Sequence, residues 1–273
     1  MIQKFYPHKK IFLITNNSTR TRQQILEEKL RSFNFELDIK YIYSSAYVSS
    51  QYVKQNLIKD TNQQEQSVYI IGQNGLKQEM KNNGIRVIND YDDTRDSIEI
   101  GSDEISSMEV DSSVCAVIAG INFSFTYRKL CLASLYLQLN NSTFIATNSD
   151  KYFTTQVKDR HMPAGGSIVN AIIGGTLVNP ILIGKPERMT FEIMIRDHNL
   201  EEESLSKFLM IGDNLLTDVL FGNNCGIDTL VVLSGNTSES KAIDMFINKN
   251  MSKEEGIPTY VSPYFGFSSQ NLS

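Results

Sequence analysis

Asp213 and Asp218 follow an uncharged apolar run, Phe208-Leu-Met-Ile-Gly212. Such a run reads as a buried parallel strand, and Asn214 to Thr217 then open a helix with Asp218 in its first turn. A negative charge there suits the helix macrodipole. The spacing is too wide for one face of a regular helix, but across a strand-to-helix turn both carboxylates can reach a common point. That point would lie outside the carboxyl end of a strand, where open α/β sheets bind their ligands. Asp213 equally suits a plain helix cap. Thr15-Asn16-Asn17-Ser18 closes a second apolar run, Lys10 to Thr15, and leads into a helical pattern that Ser18 or Thr19 would cap. Hydroxyls, amides and free backbone N–H groups at a helix start make a competent anion cradle, although Asn and Ser are also ordinary turn residues. Lys185, between Gly184 and Pro186, could neutralise a phosphate or a crowded carboxylate, or be a surface lysine. Pro186 suits the first position of the following helix. His161, beside the turn Pro163-Ala-Gly-Gly, is a lone loop histidine of little chemical weight.

The elements that must position these groups alternate. Short apolar strands over residues 10–15, 67–72, 85–88, 114–120, 143–150, 180–184, 208–212 and 229–235, and a short strand running into a helix over 40–56, are interleaved with helical patterns. Tyr127 to Leu139 is the clearest amphipathic helix. Leu76 to Asn82, Ile168 to Ile173 and a helix that Lys185-Pro186-Glu187 opens and that runs to about Asn199 are others. Strand and helix in alternation predict an α/β protein with doubly wound parallel sheets. The polar stretch 60–66 and the breakers Gly174-Gly175 and Asn179-Pro180 mark two boundaries. Residues 90–111, with nine Asp or Glu, read as a solvated loop with a short helix.

Composition narrows the function classes. The 273 residues are 41% hydrophobic and 21% charged, ordinary for a globular protein. A net charge of -5 argues against nucleic-acid or anionic-membrane surfaces. Cys115, Cys131 and Cys225 are scattered, which points to a reducing compartment, and no run approaches the length needed to span a bilayer. With no apolar signal centre at the start, a cytoplasmic protein is expected. At this level the chain is a phosphate- or nucleotide-binding α/β protein, enzyme or binding module. A dehydrogenase-like cofactor domain is the weaker alternative, since no G-x-G-x-x-G follows the first strand.

Thr15-Asn16-Asn17-Ser18, Gly184-Lys185-Pro186 and Gly212-Asp213-x-x-x-Thr217-Asp218 occur in the order of the haloacid dehalogenase superfamily phosphatases. The chain resembles in particular their para-nitrophenyl phosphate, phosphoglycolate and pyridoxal phosphate phosphatase branch. Ser44-Ser45-Ala46-Tyr47, Gly120-x-x-x-Ser124-Phe-x-Tyr127-x-Lys129-Leu130, Phe144-Ile-Ala-Thr-Asn148-x-Asp150 and Leu233-Ser-Gly235 add to the likeness, which covers nearly the whole chain from Lys10 onward. The resemblance implies a Mg²⁺-dependent phosphomonoesterase with a Rossmann-like core, residues 1–66 and 177–273, and an inserted α/β cap, residues 67–176. It implies that Thr15, Asn16 and Asn17 bind the phosphoryl group, with Asn214, Leu215, Leu216 and Thr217 lining the site. Lys185 would balance charge, Asp213 would ligate Mg²⁺ and Asp218 would support them. The substrate would be a small phosphorylated metabolite, and a homodimer through the cap is possible.

The family's defining element, an apolar strand ending Asp-x-Asp ahead of the Thr-Asn-Asn strand, has no counterpart in this sequence. Asp90-Tyr-Asp92 lies in the acidic loop instead. The first Asp of that element is the nucleophile and a metal ligand, and the second is the general acid–base. Its strand would occupy the centre of the core sheet, so its absence would leave neighbouring edges unpaired. Two readings follow: a family phosphatase whose sequence here is N-terminally incomplete, or a phosphate-binding pseudoenzyme without turnover. Asn122, where relatives usually have Asp, and Pro163-Ala-Gly-Gly, where they favour Pro-Gly-x-Gly, are smaller departures in the cap.

Overall fold

The computed structural model describes residues 8–33, 35–58, 66–89, 100–155, 157, 160–248 and 252–265, so Asp90-Tyr-Asp92 lies outside the described residues. The chain divides into two compact units, Met1–Gly184 and Lys185–Ser273.

In the first unit, β1 (Leu13–Thr15) pairs in parallel with β2 (Ile42–Ser44), Thr15 opposite Ser44. Between them α1 (Arg22–Ile25) is capped by Thr21, whose hydroxyl and Gln24 form a reciprocal capping box. The cap is therefore neither Ser18 nor Thr19. Ser18 is buried with its hydroxyl accepting from Thr147 Oγ1 at 3.3 Å, and Thr19 is engaged by Asn17. Ser44 caps α2 (Ser45–Asn56) by accepting from the Tyr47 amide.

The chain then builds β3 (Ser67–Ile71), α3 (Asn74–Asn82), β4 (Arg86–Val87), α4 (Ser102–Ser106), β5 (Val114–Ala119), α5 (Tyr127–Leu139) and β6 (Thr143–Ala146). A hairpin of β7 (Tyr152–Thr154) and β8 (His161–Pro163) precedes α6 (Gly165–Thr176) and β9 (Ile181–Leu182). Five strands form one parallel sheet in the order β4-β3-β5-β6-β9. Its central strands are continuous apolar runs because helices cover both faces of a parallel sheet. Tyr69, Ile71, Val117 and Phe144 pack against Ala133, Tyr136, Val169 and Ile172 of α5 and α6, with the Tyr69 and Tyr136 rings 5.0 Å apart. Ile181 pairs with Ile145, so β9 completes the edge of this sheet although Gly174 and Gly175 read as a boundary. His161 sits in a strand, exposed, its ring edge-on to Tyr152 at 4.8 Å.

In the second unit, α7 (Met189–Asp197) leads to β10 (Leu209–Gly212), and a wide turn over Leu215–Val219 runs into α8 (Leu220–Cys225). β11 (Asp228–Val232), α9 (Glu239–Ile243) and β12 (Tyr260–Ser262) follow, giving the parallel order β10-β11-β12. The helix begins at Met189, so Pro186 is not its first residue; it lies in the preceding turn after a cis peptide bond. Leu215, Val219 and Val231 form the core beneath the wide turn. Gly226, at φ 73°, ends α8 in the left-handed conformation that glycine tolerates best. The α/β class with parallel sheets expected from the alternating pattern is the one observed. Among the described residues no helix is long and apolar enough to cross a membrane.

Candidate functional site

The turn after β10 is built around the Asp218 carboxylate. Asp218 is buried, at 6% exposure, and a buried carboxylate needs partners for both oxygens. Its Oδ2 accepts the backbone N–H groups of Asp213 at 3.0 Å and Asn214 at 3.1 Å, and its Oδ1 accepts Lys185 Nζ at 2.6 Å. The carboxylate lies so close over Gly212 that a Cβ there would overlap it, which fixes glycine at the end of the strand. Asn214 caps the helix start, its Oδ1 accepting Leu216 N–H at 3.0 Å. Its carbonyl accepts both Asp218 N–H at 2.9 Å and Val219 N–H at 3.2 Å, which widens the first turn. The capping alternative for Asp213 is thereby excluded.

Asp213 has other partners. Its Oδ2 accepts the backbone N–H and the side-chain Nδ2 of Asn236, both at 2.8 Å, and its carbonyl accepts Thr237 N–H at 2.9 Å. Gly235 lies against the same carboxylate, where a Cβ would overlap Oδ2. Oδ1 accepts no hydrogen bond from the described residues. The two carboxylates therefore do not work as a pair. Asp218 holds the turn and Lys185, while Asp213 presents one unengaged oxygen. Among the other expected residues, Leu215 is buried in the core, so only its backbone is available to a ligand. Leu216 is 55% exposed and Thr217 half-buried. Asn236 escaped the sequence reading; its only signal there is a Ser-Gly-Asn-Thr turn after an apolar strand.

Thr15, Asn16 and Asn17 belong to the first unit and form a cross-braced loop after β1. Thr15 Oγ1 accepts Asn17 N–H at 3.2 Å. Asn17 Oδ1 accepts Thr19 N–H at 2.9 Å, Thr19 Oγ1 at 3.0 Å and Arg20 N–H at 3.3 Å, so this side chain shapes the turn. The Asn16 carbonyl accepts Ser45 Oγ at 2.8 Å and Asn148 Nδ2 at 3.1 Å, and Asn16 Nδ2 donates to Asp150 Oδ2 at 3.3 Å. Gly184 closes over the loop, with room for no Cβ between Asn16 Oδ1 and the Thr147 carbonyl. Segments read separately in the sequence, around Ser45, Asn148, Asp150 and Gly184, thus buttress one loop. Asn122 is a brace as well: its Nδ2 donates to the Gly72 carbonyl at 2.7 Å. Its Oδ1 accepts Nζ of the buried Lys129, which also donates to the Ser124 carbonyl at 2.7 Å.

A hard divalent cation takes oxygen ligands and keeps several waters, needing one or two protein carboxylates. Asp213 Oδ1 suits it as one ligand. Among the described residues no group of three His, Cys, Asp or Glu could hold a metal on its own.

The chain is 33% identical over 235 residues to phosphoglycolate phosphatase 1A of Arabidopsis thaliana, covering 85% of this chain and 61% of that protein. It is 31% identical over 237 residues to the 4-nitrophenylphosphatase of Schizosaccharomyces pombe, covering 86% of this chain and 76% of that protein. Residues 4–86 match the haloacid dehalogenase-like hydrolase model, and residues 182–263 match a HAD-hydrolase-like model. The chain belongs to the haloacid dehalogenase-like hydrolase family. It spans 61% of the length of the Arabidopsis phosphatase, less than two thirds. In fold it is similar to a p-nitrophenyl phosphatase from Archaeoglobus fulgidus, at TM-score 0.73 and 24% identity over 96% of this chain and 85% of that one. The two matched segments carry the Thr15 loop and the Lys185–Asp218 turn of this haloacid dehalogenase-like chain, and they leave residues 87–181 between them.

Proposed function

We propose that this chain is the greater part of a Mg²⁺-dependent phosphomonoesterase acting on small phosphate esters such as phosphoglycolate or 4-nitrophenyl phosphate. The observation that carries the reading is local. Lys185 Nζ is fixed 2.6 Å from Asp218 Oδ1, on the turn whose amides that carboxylate holds, while Asp213 keeps one oxygen unengaged. The names of the relatives, phosphoglycolate phosphatase and 4-nitrophenylphosphatase, support the ester class. In this reading Asp213 Oδ1 is a magnesium ligand, and Lys185 neutralises phosphoryl charge. Asp218 holds both in place. Thr15 and the amides of Asn16 and Asn17 orient phosphoryl oxygens, and Asn214 to Thr217 line the site with backbone and the half-buried Thr217. Magnesium would supply a Lewis acid for the charge spread over the phosphoryl oxygens. The chain's own part is positioning and fixed charge, the larger share of phosphoryl-transfer catalysis. Residues 67–176 would form a cap that shapes substrate choice and offers a dimer contact, in a cytoplasmic protein.

The nucleophile and the general acid–base would come from an Asp-x-Asp strand outside this sequence. Hydrolysis of para-nitrophenyl phosphate with and without Mg²⁺ tests this, on the chain as given and on one extended upstream by a strand ending Asp-x-Asp. Turnover by the extended chain is expected to exceed that of the shorter one by a factor on the order of 10⁶, the scale of losing a catalytic nucleophile. Equal turnover by both would remove the need for an outside nucleophile. Failure of both, in folded samples, would favour the second reading, a phosphate-binding pseudoenzyme.

A further inference from the structure

Asn236 is an exposed side chain in the turn after β11, yet both of its nearest donors point inward at one atom. Its backbone N–H and its Nδ2 each reach Asp213 Oδ2 at 2.8 Å. The neighbouring Thr237 N–H takes the Asp213 carbonyl at 2.9 Å, and the Gly235 Cα leaves no space beside Oδ2. A carboxylate gripped this way cannot turn about its Cβ–Cγ bond without breaking two hydrogen bonds. A surface amide would ordinarily have water as its partner, so the inward aim of Nδ2 is a feature of the site.

We infer that Asn236 is a positioning residue: it binds one oxygen of Asp213 so that the other is offered singly, in a fixed direction, to a hard divalent cation. The inference rests on the reading of Asp213 as a metal ligand. It makes Asn236 the residue that excludes two-oxygen chelation by Asp213 and so favours a small octahedral ion, which takes single oxygens at near-ideal geometry, over a larger one of looser demands. Partners of this kind, hydrogen-bonded to a ligating group, typically change metal affinity by about 10–100-fold when removed.

The test is a Mn²⁺ titration of the isotopically labelled chain, read as paramagnetic broadening of the Gly212, Asn214 and Asn236 backbone amides. It is run on the wild-type chain, Asp213→Asn, Asn236→Ala and Asn236→Leu, with the metal-free melting temperature of each. The leucine variant keeps the side-chain bulk without its donor. Both Asn236 variants are expected to shift the titration midpoint at least tenfold higher while melting as the wild type does, because the side chain is exposed. Asp213→Asn is expected to abolish local broadening. A wild-type midpoint in both Asn236 variants overturns the inference and leaves the metal reading standing. A fall in melting temperature that accounts for the lost affinity overturns it too, because Asn236 would then be merely structural. Unaltered broadening in Asp213→Asn removes the metal reading and this inference together.

Discussion

Replacing Asp218 by alanine should open the second unit from within. The substitution strips two backbone N–H groups, those of Asp213 and Asn214, of their acceptor and takes a 2.6 Å partner from Lys185. Each unsatisfied buried amide costs about 1–3 kcal/mol, and breaking a buried ion pair about 3–5 kcal/mol. These losses overlap, since water entering the gap would serve all three groups, so a net cost of about 3–5 kcal/mol is expected. Asp218→Asn keeps one carbonyl oxygen for the amides but turns an NH₂ group toward the lysine, and should cost about 2 kcal/mol. The reporter is Cys225, in the same unit, 1% exposed. Burial pushes its thiol up to about 12, with the nearby Arg188 opposing and Glu192 adding slightly, so at pH 8 the folded thiol carries almost no thiolate. Modification by a thiol reagent, read on the Cys225 peptide by mass spectrometry, therefore reports opening of this unit. A cost of about 3–5 kcal/mol corresponds to labelling faster by roughly two to three and a half orders of magnitude. An increase below tenfold in Asp218→Ala would mean that its carboxylate does not hold the turn.

Three further outcomes follow from the same contacts. Gly184→Ala places a Cβ 2.6 Å from both Asn16 Oδ1 and the Thr147 carbonyl; backbone cannot yield there, and a loss of about 1–3 kcal/mol should appear as a lower urea midpoint. Asn17→Ala removes the acceptor for three donors and Thr21→Ala the hydroxyl of the capping box, so each should cost about 1 kcal/mol, a fall of about 2–4 °C in melting temperature. The raised Cys225 thiol also sets an alkaline limit: its stabilisation is intact below the ordinary thiol value and drains as pH rises toward about 12, because only the unfolded chain ionises freely. Cys225→Ala should therefore lose less stability than the wild type between pH 9 and pH 11, measured by urea unfolding; parallel curves would contradict the assignment.

What the sequence disclosed was burial, because burial is written in local composition. Val114–Ala119 and Tyr127–Leu139 were legible as strand and helix since their apolar residues answer to one sheet and one packed face. The hairpin Tyr152–Thr154 with His161–Pro163 was not, because an exposed antiparallel pair needs no apolar run. The cap at Thr21 was missed for a different reason. Ser18 has the right chemistry for a cap, but its hydroxyl is engaged by Thr147, 129 positions away. Local propensity cannot rank two hydroxyls when one has a distant partner.

The same limit explains why Asp213 and Asp218 could be found but not told apart. Both are acidic, both follow the same strand, and each satisfies some rule of helix starts. Their division of labour is decided by residues that the turn itself does not contain: Lys185, 33 positions from Asp218, and Asn236, 23 positions from Asp213. Lys185 and two turn amides engage both oxygens of Asp218, whereas Asn236 takes only one oxygen of Asp213 and leaves the other. A carboxylate with donors on both oxygens can hold a loop but keeps no unengaged oxygen for a cation. One gripped on a single side keeps an oxygen that the described residues leave unengaged, which is why the two carboxylates of this turn differ in what they can offer a ligand.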